Sequence, residues 1–201
     1  KIGAVNNIVR RADGSLIAFN TDYIGAITAI EDGLRGLSGA ATGGMSPLEG
    51  KLFVVLGAGG AGKSLAYGAA QKGARVVVAN RTFERAKELA KKVGGQAMPL
   101  AEVDNFHPEE GAILANTTSV GMKPGFDDTP ISKESLKHYC LVFDAIYTPK
   151  ETRLLREAKE TGATIVYGTE MLIRQGFEQY KNFTGLLAPE ELFRNLMEKH
   201  A

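Results

Sequence analysis

The segment from Lys51 to Ser64 constrains the fold of this chain more than any other, and it reads KLFVVLGAGGAGKS. Five strand-forming residues, 52–56, lead directly into a glycine-rich turn, and the alanine-rich residues 65–71 that follow are typical of a helix. A strand, a tight turn and a helix start in this order aim backbone N–H groups and the helix dipole at one point, which favours an anion. The segment therefore predicts a phosphate-binding turn inside an α/β fold.

Two nucleotide-binding patterns fit this turn. Gly57, Gly59 and Gly62 give G-x-G-x-x-G, the fingerprint of dinucleotide sites, whereas the residues from Gly57 to Ser64 also give G-x-x-x-x-G-K-S, a P-loop. A P-loop protein also needs an apolar strand that ends in an aspartate for Mg²⁺. The one such strand here, LVFD, ends at Asp144, and no catalytic glutamate is evident after it. A tight turn that binds no ligand is a third interpretation.

The end of the second predicted strand favours the dinucleotide interpretation. That strand, RVVVA at 75–79, is followed by Asn80, Arg81 and Thr82, and Arg85 comes one helical turn later. An acidic residue at this position would bind the ribose hydroxyls of NAD. A guanidinium group instead suits a 2′-phosphate, to which it donates two charge-assisted hydrogen bonds. The predicted cofactor is therefore NADP.

Composition excludes several other classes of protein. The 201 residues carry a net charge of +1 without a basic block, which argues against nucleic acid as a partner, and no apolar run is long enough to span a membrane. The single cysteine, Cys140, cannot form an internal disulfide, which fits a reducing compartment. The histidines at 107, 138 and 200 show no metal-ligand spacing, so no metal site is predicted.

The order of strand and helix patterns predicts a doubly wound parallel sheet, a Rossmann-like α/β fold. Two short strand-like runs, 4–10 and 15–20, are joined by a hairpin signal and followed by a helix at 22–34. Residues 36–50, rich in Gly, Ser and Ala, are expected to form a flexible connection. Predicted strands then cover 52–57, 75–80, 96–98, 112–117, 141–146 and 164–167, with helices at 60–72, 83–93, 133–139, 152–161, 170–183 and 189–199.

Polar clusters stand where several of these elements begin or end, and together they carry a family resemblance. They are GAVN at 3–6, NTD at 20–22, NRT at 80–82, NTTSVGM at 116–122, DAIYTP at 144–149, and GTEML at 168–172 with Gln175 and Gly176. With the GAGGAGK turn, this set resembles the shikimate dehydrogenase family over essentially the whole chain. The sequence of these segments is most similar to the plant form, in which the dehydrogenase is the C-terminal half of a bifunctional dehydroquinate dehydratase–shikimate dehydrogenase.

The resemblance implies NADPH-dependent reduction of 3-dehydroshikimate to shikimate, in aromatic amino-acid biosynthesis and in the plastid. It implies that the substrate is contacted by Asn6, Asp22, Tyr147, Gln175 and Gln179. It implies that the cofactor is lined by Gly57, Ala58, Gly59, Gly60, Ala61, Asn80, Arg81, Thr82, Arg85, Thr117, Ala145, Gly168 and Met171. Gly168 is expected to let the nicotinamide approach the backbone.

The family's chemistry uses a lysine–aspartate pair, and Asp22 matches the catalytic aspartate. The lysine belongs to a family segment that precedes Lys1 of this sequence, so these residues alone are expected to bind NADP(H) but to turn over shikimate poorly or not at all. Asn7 stands where the family usually has Thr, which bears on substrate preference. On the residues alone, Asp22 could instead cap a helix, Asn6 could belong to a turn, Tyr147 could be half-buried, and Gln175 could be solvated.

The implied domain organisation is a remnant of a second α/β substrate domain at 1–35, the connection at 36–50, an NADP-binding domain at 51–170, and C-terminal helices at 171–201 that return to the substrate domain. Three rival functions stay open. They are a quinate dehydrogenase of the same family, a P-loop nucleotide-binding protein, and a non-catalytic NADP-binding sensor.

Overall fold

A six-stranded parallel sheet lies at the centre of the fold, and helices cover both of its faces. The computed structural model describes residues 2–38 and 44–200. The strands are β1 (Asn7–Arg10), β2 (Leu16–Phe19), β3 (Leu52–Leu56), β4 (Arg75–Asn80), β5 (Gln96–Pro99), β6 (Ala112–Asn116), β7 (Tyr139–Asp144) and β8 (Thr164–Val166). The α-helices are α1 (Asp22–Ser38), α2 (Gly60–Gln71), α3 (Phe83–Val93), α4 (Lys133–Leu136), α5 (Arg153–Glu160), α6 (Gly168–Thr184) and α7 (Glu190–His200).

The central sheet has the strand order β5-β4-β3-β6-β7-β8, and all its pairings are parallel. Numbered from β3, this is the 3-2-1-4-5-6 order of doubly wound dinucleotide-binding folds. The chain winds outward from β3 in one direction and returns to start again at β6 on the other side. The carboxyl ends of β3 and β6 therefore flank a crevice, and the predicted fold class is confirmed.

Alternate residues of the strands enter two separate hydrophobic cores. Phe53 and Val55 pack on the face covered by α1, α2 and α3, whereas Val54 and Leu56 pack on the face covered by α4 and α5. All four side chains are fully buried. Burial on both faces explains why β3 reads as an unbroken apolar run and not as an alternating pattern.

The predicted amino-terminal hairpin is present as a separate antiparallel pair. β1 and β2 pair from Asn7 opposite Phe19 to Arg10 opposite Leu16. Asp13 shapes the turn between them, because its carboxylate accepts hydrogen bonds from the amide and the hydroxyl of Ser15.

Most predicted boundaries are shifted by one to three residues, and three further differences are larger or of another kind. The helix predicted over 133–139 covers only Lys133–Leu136, because Tyr139 is buried and pairs with Ala112 in the sheet. The 3₁₀ helix at Leu100–Asn105 was not predicted. The first long helix continues past its predicted end to Ser38.

The segment predicted as a flexible connection is only partly described. Residues 39–43 lie outside the described residues. After them, Leu48 is fully buried in the larger core, and the hydroxyl of Ser46 donates a hydrogen bond to Glu31 at 2.7 Å. Glu31 also pairs with Lys72 at 3.3 Å, so this end of the connection is attached to both α1 and the end of α2.

Helices α1 and α6 cross at very close range, and a glycine makes this crossing possible. A Cβ atom added to Gly25 would lie 2.7 Å from the carbonyl oxygen of Met171 and 2.8 Å from the amide nitrogen of Gln175. Real Cβ atoms essentially never approach backbone so closely, so any side chain at position 25 would push the two helices apart.

We predict that Gly25→Ala lowers the free energy of unfolding by about 1–3 kcal/mol, because the added methyl group overpacks the crossing. The matched control is Gly36→Ala on the exposed side of the same helix, where an added Cβ meets no atom within 4 Å. That control should stabilise the protein by about 0.5–1 kcal/mol through helix propensity. Urea unfolding of both variants measures the difference, and equal effects would contradict a tight crossing.

Candidate functional site

The turn after β3 contains two glycines that the fold itself requires. Gly57 has φ +106°, and a Cβ atom there would lie 2.6 Å from the hydroxyl oxygen of Thr117. A Cβ atom on Gly62 would lie 2.2 Å from the carbonyl oxygen of Gly57. The hydroxyl of Thr117 donates to the carbonyl of Leu56 at 2.7 Å and so ties the loop after β6 to the turn.

The other two glycines of the turn have no such structural reason. Added Cβ atoms on Gly59 and Gly60 would meet nothing within 4 Å, and Gly59 has an ordinary φ of −81°. No side chain caps α2, and its first turn contains no acidic residue. Open space above an uncapped helix start is the arrangement that lets a phosphate reach backbone N–H groups.

The structure contradicts the P-loop interpretation. Ser64, which would bind Mg²⁺ in a P-loop, is fully buried, accepts a hydrogen bond from Asn20 at 2.9 Å and donates to the carbonyl of Gly60 at 2.9 Å. Asp144 is also fully buried and is surrounded by hydrogen-bond donors. Neither group is available to a metal ion.

The polar residues at the end of β4 and after it differ in what they contact. Asn80 accepts a hydrogen bond from the amide of Ala58 at 3.2 Å and donates to the carbonyl of Thr82 at 2.9 Å, so it fixes both loops. Arg81 and Arg85 are exposed, and within the described part of the chain no hydrogen bond or ion pair engages either guanidinium group. These two cations stay available for an anion.

Two neighbouring cavities meet at Ala58 and Gly59. One, of about 240 Å³, is lined by Gly57, Ala58, Gly59, Asn80, Arg81, Leu100, Thr117, Thr118, Ser119 and Val120. The other, of about 350 Å³, is lined by Ala58, Gly59, Lys63, Arg85, Glu88, Leu89 and Lys92. Sequence reasoning treated Lys63 only as part of the P-loop pattern and missed Lys92, because the placement of α2 beside α3 could not be read from the chain.

A third cavity, of about 260 Å³, brings together all the predicted substrate residues. It is lined by Asn6, Asp22, Ala145, Tyr147, Gly168, Met171, Leu172, Gln175 and Gln179. These residues come from positions far apart in the chain, and the crossing of α1 with α6 brings many of them together. The predicted nicotinamide-side residues Ala145, Gly168 and Met171 line the same cavity.

Asp22 turns its carboxylate toward this cavity and does not serve as a helix cap. The oxygen that caps the start of α1 belongs to Asn20, which accepts from the amide of Tyr23 at 3.3 Å. Asp22 instead accepts a hydrogen bond from the side-chain amide of Asn6 at 2.8 Å. Burial raises the pKa of Asp22 above its ordinary value, and the hydrogen bond from Asn6 opposes that rise.

Thr21, which sequence reasoning did not single out as a site residue, connects the polar side chains of the cavity. It is almost fully buried, and its amide donates to Asn6 at 2.8 Å while its hydroxyl donates to Gln175 at 3.3 Å. Gln179 donates to Gln175 at 2.6 Å. Tyr147 is half-exposed, and no described hydrogen bond involves its hydroxyl.

Gly168 is required by packing. A Cβ atom there would lie 2.5 Å from the carbonyl oxygen of Ile146 and 2.7 Å from that of Ala145. The start of α6 therefore rests directly on the loop that follows β7. The sequence-based expectation had assigned this glycine only to approach of the nicotinamide.

A buried polar pair, Asn116 and Asp144, lies between the cavities at the ends of β6 and β7. The amide of Asn116 donates to Asp144 at 3.0 Å, and both side chains are fully buried. Burial raises the pKa of Asp144 to about 6, although hydrogen bonds from Thr152, Ile146 and Asn116 favour its charged form.

Other chemistry is absent from the described residues. No group of three or more His, Cys, Asp or Glu side chains among them is arranged to hold a metal ion. The thiol of Cys140 donates to the carbonyl of Gly111 at 3.3 Å, and burial raises its pKa. None of the helices within the described ranges combines the length and apolar character that crossing a bilayer requires.

Comparison with known proteins agrees with this geometry. The family profile described as Shikimate / quinate 5-dehydrogenase matches residues 40–145, and that of the Shikimate 5′-dehydrogenase C-terminal domain matches residues 168–198. The chain belongs to the shikimate dehydrogenase family. It is 60% identical over 202 residues to the chloroplastic bifunctional 3-dehydroquinate dehydratase/shikimate dehydrogenase of Arabidopsis thaliana, covering 99% of this chain and 34% of that protein.

Shorter family members match over most of their length. The chain is 40% identical to the NADP(+) shikimate dehydrogenase of Methanosarcina barkeri, covering 96% of this chain and 68% of that protein. The crystal structure of Thermus thermophilus shikimate 5-dehydrogenase, solved with NADP(H) and shikimate, has a TM-score of 0.80 and 34% identity, covering 100% of this chain and 69% of that one. The chain thus spans about a third of the plant relative and about two thirds of the others.

We predict that Asp144 makes stability depend on pH in a definite direction. Its pKa is about 6 in the folded protein and about 3.8 when unfolded, so the folded state binds the extra proton between these values. The wild type should therefore gain about 2–3 kcal/mol relative to Asp144→Asn as pH falls from 7.5 to 4. Urea unfolding of both proteins across this range measures the gain, and a constant difference would contradict the burial argument.

Proposed function

We propose that this chain forms the NADP-binding part of a shikimate dehydrogenase that reduces 3-dehydroshikimate to shikimate with NADPH. The observation that carries the proposal is Arg81, which is exposed directly after β4 and lines the cavity beside Gly59; among the described residues, no hydrogen bond or ion pair engages its guanidinium group. A planar guanidinium at this point selects a 2′-phosphate, whereas an NAD enzyme places a carboxylate there. The identity of the substrate is inferred from membership of the shikimate dehydrogenase family.

The cofactor would lie across the crevice with its pyrophosphate above Gly59 and Gly60 and its adenosine phosphate near Arg81 and Arg85. The nicotinamide supplies the hydride, and the wall formed by Ala145, Gly168 and Met171 supports an assignment to this end of the cofactor. The protein's contribution is to hold the two reactants in line and to exclude water.

The substrate would occupy the cavity between α1 and α6. Its ring hydroxyls and carboxylate suit amide and phenol partners, and Asn6, Tyr147, Gln175 and Gln179 supply these groups. Asp22 would hold the hydroxyl at the reacting carbon and orient a lysine, which the family resemblance places outside these 201 residues. Its carboxylate is held by Asn6 and has no cationic partner among the described residues.

The proposal also covers the domain organisation of the chain, its pathway and its compartment. We assign residues 1–35 and 171–201 to a substrate domain, 36–50 to its connection, and 51–170 to the NADP-binding domain. By the plant resemblance, the chain works in aromatic amino-acid biosynthesis in the plastid, joined to a dehydroquinate dehydratase. Shikimate is favoured over quinate, since the relatives of highest identity among those given above are shikimate enzymes.

Replacing Arg81 tests the assignment directly. We predict that Arg81→Ala weakens NADPH binding by about 2–3 kcal/mol, because two charge-assisted hydrogen bonds to the 2′-phosphate are lost. Affinity for NADH, which lacks that phosphate, should not change. Titration of the intrinsic fluorescence of NADPH and NADH measures both affinities.

Arg11→Ala is the matched control, because Arg11 is an exposed arginine in the turn of the separate β1–β2 hairpin and lines none of the three cavities described above. It should leave both affinities unchanged. Equal losses for NADPH and NADH in the Arg81 variant would mean that the 2′-phosphate binds elsewhere.

A further inference from the structure

The carboxyl edge of the sheet contains a buried acidic side chain to which the proposed chemistry assigns no role. Asp144 ends β7 directly opposite Asn116, which ends β6. Both side chains are fully buried, so Asp144 cannot touch the substrate or the cofactor. Burying a carboxylate costs free energy of desolvation. Its presence here therefore points to a role for its hydrogen bonds that an apolar residue could not fill.

The two carboxylate oxygen atoms of Asp144 accept hydrogen bonds from three different segments of the chain. Oδ1 accepts from the side-chain amide of Asn116 at 3.0 Å and from the backbone amide of Ile146 at 3.0 Å. Oδ2 accepts from the hydroxyl of Thr152 at 2.7 Å. Thr152 in turn caps α5, since its hydroxyl oxygen accepts from the amide of Leu155 at 3.4 Å.

This network reaches the nucleotide cavity through Asn116. The carbonyl oxygen of the Asn116 side chain accepts from the amide of Thr118 at 3.0 Å and from its hydroxyl at 2.7 Å. Thr118 lines the cavity that also contains Arg81. The shape of the loop after β6 therefore depends on a side chain that Asp144 holds in place.

The same network reaches the substrate cavity through Ile146. Its neighbours Ala145 and Tyr147 line that cavity, and the carbonyls of Ala145 and Ile146 press against Gly168. Gly168 begins α6, the helix that carries Met171 and Gln175. A shift of the loop after β7 would therefore move both this loop and α6, which line the substrate cavity, relative to the nucleotide cavity.

We propose that Asp144 is a positioning residue that fixes the loop after β6 and the loop after β7 relative to each other, and so sets the alignment of nicotinamide and substrate for hydride transfer. The inference rests on the proposed function. The groups that donate to Asp144 are the neutral side chains of Asn116 and Thr152 and the backbone amide of Ile146, and none of the described residues places a charged partner on it.

Steady-state kinetics of the whole natural protein and four variants test this role. In Asp144→Ala we expect kcat to fall about 100-fold, since misplacement of the reactants by about 1 Å has that effect. The KM for NADP should rise less than about 3-fold, because the anchors at Arg81 and Gly59 are untouched. In Asp144→Asn, kcat should stay within about 5-fold of the wild type, because asparagine keeps the Oδ1 acceptor and donates to Thr152.

Val142→Ala is the matched control for a merely structural effect. Val142 is fully buried on the same strand, but its side chain belongs to the hydrophobic core and not to the network. It should lower the free energy of unfolding and leave kcat unchanged. Thr152→Val, which removes one donor and keeps the side-chain shape, serves if Asp144→Ala does not fold, and its kcat should fall about 10-fold.

The outcomes separate the inference from the function on which it rests. A wild-type protein that neither binds NADPH nor oxidises shikimate would overturn both. With an active wild type, a kcat that falls equally in Asp144→Asn and Asp144→Ala would overturn the positioning role, and so would a Val142→Ala variant that matches the loss. Retained kcat in folded Asp144→Ala or Thr152→Val would overturn it as well.

Discussion

The fold depends on one close approach between two pieces of backbone, at the turn where β3 enters α2. A Cβ atom on Gly62 would lie 2.2 Å from the carbonyl oxygen of Gly57, so the helix can lie against its strand only without a side chain there. The close approach aims the start of α2 at the crevice between β3 and β6. It also leaves the space above Gly59 and Gly60 open to a ligand.

A second close contact builds the other half of the site. The crossing of α1 with α6 at Gly25 brings Asp22 and Asn6 within reach of Gln175 and Gln179, about 150 positions away in the chain. The buried hydroxyl of Thr21 then holds these groups together. The nucleotide end of the site is thus a property of one strand–turn–helix unit, whereas the substrate end is a property of the tertiary fold.

This difference explains how much the sequence could predict. The parallel sheet, the glycine turn and the exposed Arg81 follow from local patterns, and the strand order confirms the fold class. Thr21 and Asn116 could not be recognised as connecting residues, because their roles depend on partners brought near by packing. Asp144 was considered as a metal ligand and as part of the DAIYTP cluster, and its burial decides against metal binding. The assignment of individual ligand contacts stays a prediction.

We propose that the crevice above Gly59 holds NADP with its 2′-phosphate on Arg81. A crystal structure of the protein soaked with NADP⁺ tests it most directly. We expect a pyrophosphate within hydrogen-bond distance of the backbone N–H groups at the start of α2, and a 2′-phosphate contacting the guanidinium of Arg81. A nucleotide bound elsewhere, or an adenosine end turned away from Arg81, would contradict it.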